Sequence, residues 1–349
     1  MSECAAEYEE LRARVLAALR ADLAEEEFGE VALAVHRFQR KWNAPYDRWC
    51  ATRPGPRSWR DIPAVPQSAF KSARLSCFPP AATPVTFRTS GTTGEVRGEH
   101  HFPDTALYDA SILRGWDRLV GQRAGAAILL APEDRAAPHS SLSHMLGVMA
   151  REWAGGLVFP VVSAHGALDA ESFRAAMAAA FSADRPVALL GTALAFLNLL
   201  ELFGDARFER RSGTFVLETG GYKGSGRDVP KAELHGRISA MFHLEPDDII
   251  NEYGMTELSS QFYTRGLGGV HEGPPWVRAL VIDPETGAEA AVGETGVLRI
   301  FDLANLGSVL AVETQDLAVR RERGFELLGR DPAALPRGCS RAADERMRA

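Results

Sequence analysis

A stretch rich in glycines and hydroxyl side chains, RTSGTTGEVRGEHH, occupies residues 88–101. Glycines leave backbone N–H groups accessible, and such groups can cradle phosphate oxygens. Further donors could come from the hydroxyls of Thr89, Ser90, Thr92 and Thr93 and from the charged side chain of Arg97. A GTPase-type phosphate loop is excluded, because the chain contains no Gly-Lys pair. The stretch therefore predicts a phosphate-binding loop of another kind, and a hydroxyl-rich turn without a ligand is the alternative.

A second group of chemically useful side chains follows an apolar run in IINEYGMTELSSQF, residues 249–262. Loops at the ends of strands are where α/β sheets bind ligands. Tyr253 offers a flat face to a purine, Thr256 a hydroxyl to a phosphate, and Glu257 an oxygen ligand to Mg²⁺. The alternative is the N-terminus of a helix with Thr256 as its cap.

The elements that must position these side chains are indicated by short apolar runs that alternate with helical patterns. AAILLA, LVFPVV, VALLGT and TFVLETGG are typical of buried strands, whereas ESFRAAMAAAF, FLNLLELF and AELHGRISAMF are typical of helices. This alternation predicts an α/β fold with a largely parallel sheet covered by helices. Residues 277–303 instead carry two β-branched runs around turn-rich segments, which predict a small antiparallel β-subdomain. Apolar spacing at the start of the chain predicts two amphipathic helices, the second continuing after Gly29.

Composition limits the class of protein. A chain of 349 residues that is 46% hydrophobic is typical of a globular enzyme. The net charge of -7 and the pI near 5.8 argue against nucleic-acid binding. The N-terminus is acidic and lacks the apolar core of a signal peptide, and the longest apolar stretch is shorter than the ~20 residues of a membrane span. We therefore expect a cytoplasmic protein without a membrane span.

Together these stretches resemble motifs of the adenylate-forming superfamily, which contains acyl-CoA synthetases, luciferases and peptide-synthetase adenylation domains. TSGTTGEVRG matches the superfamily's phosphate loop, with Arg97 where lysine is usual. That match adds Gly91 and Gly94 to the expected phosphate-binding residues. NEYGMTE matches the adenine and magnesium motif, which adds Gly254 to Tyr253, Thr256 and the metal ligand Glu257.

Two further stretches resemble motifs of the same superfamily. LETGGYKG resembles the glycine-containing strand end beside adenine, which implies a role for Gly220 and Gly221. ETQDLAVRRERGFELLGR resembles the motif whose aspartate, here Asp316, holds the ribose hydroxyls, and whose hinge arginine is here Arg330. The four motifs occur in the superfamily's order.

A closer resemblance is to the LuxE-type acyl-protein synthetases, the long-chain-fatty-acid protein ligases of bacterial fatty acid reductase complexes. FGEVALAVHRFQRKWNAPYDRWC, DIPAVPQSAFK, SLSHMLG, YGMTELSSQFY, FDLANLGSV and RGCS all look like that family. The resemblance implies ATP and Mg²⁺ as cofactors and a carboxylic acid, such as a fatty acid, as substrate. An acyl reductase or an acyl-carrier protein is the implied protein partner.

The resemblance also implies how the chain is divided. It places an adenylate-forming catalytic domain at residues 1–330, with a β-rich part at 270–330, and a short mobile tail with Cys339 at 331–349. Only 19 residues follow Arg330, fewer than the roughly 40 that a self-standing domain needs. The superfamily's usual small C-terminal domain, with its catalytic lysine, is therefore predicted to be missing.

The implied reaction has two steps. A carboxylate attacks the α-phosphorus of ATP to give acyl-AMP and pyrophosphate, while Glu257, through Mg²⁺, and Arg97 offset the charge repulsion. The acyl group then passes to a thiol, which the resemblance assigns to the chain's own Cys339. Two alternatives stay open: transfer to coenzyme A or a carrier protein in natural-product biosynthesis, and a catalytically silent nucleotide-binding subunit that scaffolds a reductase complex.

Overall fold

The computed structural model describes residues 2–90, 96–222, 227 and 229–330. Its helices are α1 (Glu3–Ala18), α2 (Glu25–Trp42), α3 (Ala44–Cys50), α4 (Ala106–Leu119), α5 (Ser141–Trp153), α6 (Ala170–Ser182), α7 (Ala193–Phe203) and α8 (Lys231–Phe242). Its strands are β1 (Val65–Pro66), β2 (Val85–Arg88), β3 (Glu99–Phe102), β4 (Ala126–Leu130), β5 (Val158–Pro160), β6 (Val187–Thr192), β7 (Phe215–Thr219), β8 (Ile249–Tyr253), β9 (Phe262–Arg265), β10 (Val277–Ile282), β11 (Thr295–Asp302), β12 (Ala311–Arg320) and β13 (Phe325–Arg330). None of the helices in the described ranges combines the length and the apolar character that crossing a bilayer requires.

The described chain divides into two compact units. The first unit contains residues 2–115, 255–260 and 272–330, and the second contains Trp116–Gly254 and Gln261–His271. The chain thus leaves the second unit after Gly254, contributes six residues to the first, and returns at Gln261. The sequence-based boundary at residue 330 stays a prediction.

The second unit is built on a six-stranded sheet in the order β5-β4-β6-β7-β8-β9. Neighbouring strands from β5 to β8 are parallel, and only β9 pairs antiparallel, with β8. Every residue of β4, β7 and β8 is buried, as expected for strands covered on both faces. Helices α6, α7 and α8 pack on one face through a core that includes Phe173, Phe196 and Phe242. The predicted helix-covered, largely parallel sheet is confirmed.

The first unit contains two smaller sheets. Strands β2 and β3 form an antiparallel hairpin, whose connecting loop is residues 89–98. Strands β10, β11, β12 and β13 form an antiparallel sheet, to which the short strand β1 adds in parallel beside β12. The antiparallel β-subdomain expected in residues 277–303 is therefore present and is wider than the two predicted strands.

The N-terminal helices agree with the sequence pattern except at their boundary. Helix α2 begins at Glu25, four residues before Gly29, so that Gly29 lies inside it. The Glu27 carboxylate accepts a hydrogen bond from the Ala24 N–H at 2.9 Å and completes the first turn. Gly29 lies against the Trp59 ring, which a Cβ at this position would contact at 3.4 Å.

Candidate active site

The base of the glycine-rich loop is closed by hydrogen bonds between Thr89 and Gly98. The Thr89 N–H donates to the Gly98 carbonyl and the Gly98 N–H donates to the Thr89 hydroxyl, both at 2.9 Å. A Cβ at Gly98 would lie 3.1 Å from the Thr89 methyl group and 3.3 Å from Phe70, so the loop's base accepts only glycine without rearrangement. Ser90 and Arg97 are exposed at the two ends of the loop.

The tip of the same loop lies outside the described residues. It contains four predicted phosphate-binding residues, Gly91, Thr92, Thr93 and Gly94. Their role stays a prediction. What the structure describes is a hairpin that holds the two ends of this tip together.

The loop that carries Thr256 and Glu257 is not the start of a helix, because β8 ends at Tyr253 and β9 begins at Phe262 without helical residues between them. The alternative of a helix capped by Thr256 is therefore wrong. Instead, the Thr256 carbonyl accepts a hydrogen bond from His100 Nδ1 at 2.8 Å. Burial lowers the pKa of His100 to about 4, so the ring is neutral at pH 7 and its Nδ1 carries the proton in this bond.

The Glu257 loop is also fixed by polar groups of the FDLANLGSV stretch. The Asn305 side-chain amide donates to the Glu257 carbonyl at 2.8 Å. The Asp302 carboxyl accepts from the Ser259 N–H at 2.9 Å and from the Ser260 hydroxyl at 2.7 Å. Burial raises the pKa of Asp302 to about 6. The hydrogen bonds from Ser259 and Ser260 give the buried carboxyl oxygens of Asp302 the partners that they need in the interior. The backbone around Glu257 is thus held in one conformation.

Helix α2 and the residue that follows it form hydrogen bonds with the backbone of residues 305–310, which include Asn305. The Gln39 side-chain amide donates to the carbonyls of Asn305 at 2.9 Å and Leu306 at 3.2 Å, and its oxygen accepts from the Leu310 N–H at 2.9 Å. Asn43 donates to the Ser308 carbonyl at 3.1 Å. Three stretches that carried the LuxE-type resemblance, around α2, Glu257 and Asp302, therefore interlock through buried hydrogen bonds.

Asp316 and Arg330 lie opposite each other in the β12–β13 ladder. Arg330 Nε is 3.7 Å from Asp316 Oδ1, and the Asp316 side chain is 12% exposed against 48% for Arg330. The structure thus brings together the residue expected to hold ribose and the residue expected at the hinge. The two side chains thus lie within ion-pair distance, with Asp316 largely buried and Arg330 about half exposed.

In the second unit, the predicted adenine residues lie at the carboxyl ends of adjacent parallel strands. Gly220 directly follows β7 and has a φ of +70°, a conformation that favours glycine. A Cβ at Gly220 or Gly221 would meet nothing within 4 Å, so the backbone there borders open space. Tyr253 ends β8, and its ring packs against Phe262 and His271 with centroids 6.1 and 6.2 Å away.

Glu252 is a buried carboxyl between these two strand ends. It accepts a hydrogen bond from the Thr219 hydroxyl, and a Cβ at Gly254 would overlap its carboxyl group. Burial raises the pKa of Glu252 to about 7, an effect that the nearby Glu218 charge reinforces and the hydrogen bond from Thr219 opposes. A side chain at position 254 would therefore force the Glu252 carboxyl group to move.

Asn251 forms the centre of a second buried polar cluster beside Glu252. Its amide donates to the Glu218 side chain at 2.7 Å, and its oxygen accepts from Lys231 at 2.7 Å and from His271 Nε2 at 2.9 Å. Burial, followed by the charge of Lys231, lowers the pKa of His271 to about 3, so this ring is neutral. The cluster joins β7, β8 and α8 behind the Tyr253 ring.

Sequence reasoning missed Thr219, Asn251, Glu252, Asp302 and Asn305 as residues that shape the site. The available signal was the position of polar residues at the carboxyl ends of otherwise apolar strands, as in FVLET and IINEY. Such residues must find buried hydrogen-bond partners, and they find one another.

The described residues contain no group of three or more histidine, cysteine or carboxylate side chains that could hold a metal ion. Glu257, which is 3% exposed, is therefore a single carboxylate of the kind that Mg²⁺ uses together with phosphate oxygens and water. The donor set fits a nucleotide-bound Mg²⁺ and does not fit a metal caged by protein alone. Cys339 lies outside the described residues.

Comparisons with known proteins support the resemblance. No family model matches the chain. It is 24% identical over 145 residues to the long-chain-fatty-acid–luciferin-component ligase of Aliivibrio fischeri, and 27% identical over 112 residues to that of Vibrio harveyi. These alignments cover 40% and 31% of the chain but only 38% and 29% of the two relatives, so the chain spans well under half of each.

Solved structures with the same fold include adenylate-forming enzymes. An open conformation of 2-hydroxyisobutyryl-CoA ligase, in complex with 2-HIB-AMP and CoA, matches with a TM-score of 0.65 and 16% identity over 89% of the chain and 71% of that protein. ATP-bound MatB from Rhodopseudomonas palustris matches with a TM-score of 0.51 and 20% identity over 71% of the chain and 48% of that protein. The chain therefore has the α/β fold of the large N-terminal domain of adenylate-forming enzymes and, in sequence, is similar to the LuxE-type acyl-protein synthetases.

Proposed function

We propose that the chain is an AMP-forming acid–thiol ligase, which activates a carboxylic acid, such as a fatty acid, to acyl-AMP and passes the acyl group to a thiol. Its fold, its four motifs and its similarity to two long-chain-fatty-acid–luciferin-component ligases support this function. The proposed catalytic domain is residues 1–330, and the proposed acyl acceptor is Cys339 in the tail that follows.

One observation carries the proposal. The hydrogen bond from His100 to the Thr256 carbonyl joins the hairpin of the glycine-rich loop to the loop of Glu257. A phosphate loop and a magnesium ligand have to be held close together to act on one triphosphate, and this bond links the two elements that carry them.

ATP is the proposed nucleotide. Backbone N–H groups and hydroxyls of residues 89–94, with Arg97, would bind the phosphates; Asp316 would accept hydrogen bonds from the ribose hydroxyls. Tyr253 and the open backbone at Gly220 and Gly221 would border the adenine. Arg330, paired with Asp316, would sit at the end of the ribose motif.

Glu257 is the residue that would hold Mg²⁺, and the ion when bound would neutralise part of the triphosphate charge. The rigid backbone around Glu257, fixed by Asn305 and Asp302, is suited to holding a ligand in one place. Arg97 would supply further positive charge to the phosphates.

In the first step a carboxylate oxygen forms a bond to the α-phosphorus, and the bond from that phosphorus to the leaving pyrophosphate breaks. No side chain has to accept a proton, so the chain's contribution is orientation and charge stabilisation. In the second step a thiolate attacks the acyl carbon, and AMP leaves as the carbon–oxygen bond breaks.

The properties of the described cysteines support Cys339 as the acceptor. Cys4, Cys50 and Cys77 are buried free thiols. Burial raises the pKa of each of them, to about 11 for Cys50. A buried protonated thiol is a poor nucleophile, whereas Arg337 and Arg341 flank Cys339 in the sequence and would favour its thiolate.

A panel of carboxylic acids, assayed for acid-dependent exchange of labelled pyrophosphate into ATP, tests the proposal. Exchange with one class of acid supports activation and names the substrate. Absence of exchange with every acid, together with ATP binding, would favour the nucleotide-binding scaffold subunit. Activation followed by rapid thioester formation on added coenzyme A or carrier protein, without label on the chain, would favour the external thiol.

A further inference from the structure

A buried hydrogen bond connects the two strand ends that the proposed function assigns to adenine. Thr219 is the last residue of β7, and Glu252 is its register partner in the parallel strand β8. The Thr219 hydroxyl donates to Glu252 Oε2, and the two residues are 6% and 5% exposed. Register partners in parallel strands point to the same face of the sheet, so the Thr219 and Glu252 side chains meet on one face at the carboxyl ends of β7 and β8.

The residues that follow this bond on each strand are the proposed adenine residues. Thr219 is followed by Gly220 and Gly221, whose backbone borders open space. Glu252 is followed by Tyr253 and Gly254. The Glu252 carboxyl lies where a side chain at Gly254 would begin. The carboxyl therefore contacts the neighbouring strand end on one side and the backbone of its own loop on the other.

A second link one residue earlier strengthens the connection. The Asn251 amide donates to the Glu218 carboxylate at 2.7 Å and to the Glu218 carbonyl at 3.2 Å. Two consecutive pairs thus join β7 and β8 through side chains, in addition to the strand ladder. These side-chain bonds reinforce the last pairs of the ladder, directly before the two loops, which are held more weakly than the sheet.

We propose that Thr219 and Glu252 are positioning residues for the nucleotide, which set the spacing between the Gly220–Gly221 backbone and the Tyr253 ring. This inference rests on the proposed function, in which these two loops border the adenine. Neither residue contacts a reacting atom in it. Their loss weakens ATP binding and leaves binding of the carboxylic acid unchanged.

Two pairs of variants of the full chain test the inference. Thr219→Val keeps the shape of the side chain and removes the hydroxyl, whereas Thr219→Ser keeps the hydroxyl. Glu252→Met removes the acceptor, whereas Glu252→Gln keeps an oxygen that accepts from Thr219. We measure the Kd for ATP by calorimetry and the KM for ATP and for the acid by pyrophosphate exchange.

A matched control is available directly before the same strand. Thr214, which immediately precedes β7, is buried, and its hydroxyl oxygen accepts a hydrogen bond from the Val187 N–H at 3.0 Å. It lies five residues before Thr219, about 16 Å away along an extended chain. Thr214→Val therefore removes a buried hydroxyl without touching the proposed nucleotide loops.

The expected result is a rise in the ATP Kd of tenfold or more for Thr219→Val and Glu252→Met, with the acid KM within twofold of the wild-type value. Thr219→Ser and Glu252→Gln are expected to rescue ATP binding to within threefold of the wild type, and Thr214→Val should not change it. Combining Thr219→Val with Glu252→Met should add little to either single effect, because both remove the same bond.

Several results would overturn the inference. These are an unchanged ATP Kd in Thr219→Val and Glu252→Met, an equal rise in the KM for the acid, or failure of the serine and glutamine variants to rescue binding. A wild-type chain that binds no ATP would overturn the proposed function as well. If the wild type binds ATP and exchanges pyrophosphate, and Thr219→Val and Glu252→Met do so equally well, only the positioning role is overturned.

Discussion

His100 Nδ1 donates a 2.8 Å hydrogen bond to the carbonyl of Thr256, a residue 156 positions further along the chain. His100 is 1% exposed and lies in β3, directly after the glycine-rich loop. The bond therefore connects the two motifs that the sequence singled out for phosphate and magnesium. Because the acceptor is a backbone carbonyl, the bond fixes the path of the Glu257 loop rather than a side chain.

Activation of the acid should be slowed more by a variant that loses this bond than by one that loses the imidazole ring but keeps an N–H donor. We expect His100→Ala to reduce pyrophosphate exchange at least tenfold, because the part-buried Thr256 carbonyl loses the hydrogen bond from His100, a change that costs roughly 1–3 kcal/mol. His100→Asn places an amide N–H near the position of Nδ1 and should keep more of the activity. Equal rates for wild type and the folded alanine variant would contradict the structural link.

The proposed magnesium and ribose ligands give a direct test of the chemistry. We expect Glu257→Gln and Asp316→Ala each to reduce the exchange rate at least tenfold, equivalent to about 1.4 kcal/mol of transition-state stabilisation. Glu285→Gln and Glu322→Ala are matched controls, since both glutamates are exposed and lie in turns of the β-rich part. Wild-type exchange rates in both Glu257→Gln and Asp316→Ala would show that these residues do not hold magnesium and ribose.

The glycine-rich loop should act on the nucleotide. We expect Thr92→Val and Arg97→Ala to raise the KM for ATP severalfold, because each removes a donor to the phosphates, and to leave the KM for the acid unchanged. Val96→Ala is the control beside Arg97, since Val96 is 69% exposed. If neither test variant alters the KM for ATP, the loop is a hydroxyl-rich turn.

The buried carboxyl of Glu252 should make stability depend on pH. Burial raises the pKa of Glu252 in the folded protein to about 7 from an ordinary value of 4.5. Between these values the unfolded chain releases the proton while the folded chain keeps it, so the free energy of unfolding falls as pH rises, by about 3 kcal/mol in total. Above pH 7 both states are ionised and the dependence ends.

Comparison with Glu252→Gln isolates this effect. Neutral buried histidines such as His100, whose pKa burial lowers to about 4, act in the opposite direction but contribute equally to both proteins. Denaturant unfolding at several pH values should therefore show the wild-type advantage shrinking from pH 4.5 to 7. A difference that stays constant over that range would mean that Glu252 is ionised in the folded state.

Cys339 should carry the acyl group. In this prediction Cys339→Ser keeps pyrophosphate exchange and loses the hydroxylamine-labile label from radioactive acid, since only the second step needs the thiol. An extended segment of the nine residues after Arg330 spans roughly 30 Å, so reach does not limit the transfer. Cys4→Ala, Cys50→Ala and Cys77→Ala are the controls, because these three thiols are buried. A hydroxylamine-labile label that survives in Cys339→Ser would indicate another acceptor.

The sequence by itself determined the main elements and the motifs. Apolar runs such as those of β4, β6 and β8 predict buried parallel strands because a strand covered on both faces has no polar side to alternate. TSGTTGEVRG and NEYGMTE predict phosphate and magnesium chemistry from local spacing alone. The motif also predicts a glycine at position 254, after Tyr253, but does not show that the Glu252 carboxyl lies where a side chain there would begin.

Only the tertiary structure decided how these motifs are held. His100 and Thr256 meet because a hairpin and a distant loop fold into one unit, and Asn305 reaches the Glu257 carbonyl from a stretch 48 residues further on. Glu252 finds Thr219 because two strands lie in parallel register. Buried polar groups must be paired, but a linear sequence does not state which partner lies within 3 Å, since that distance depends on how the whole chain packs.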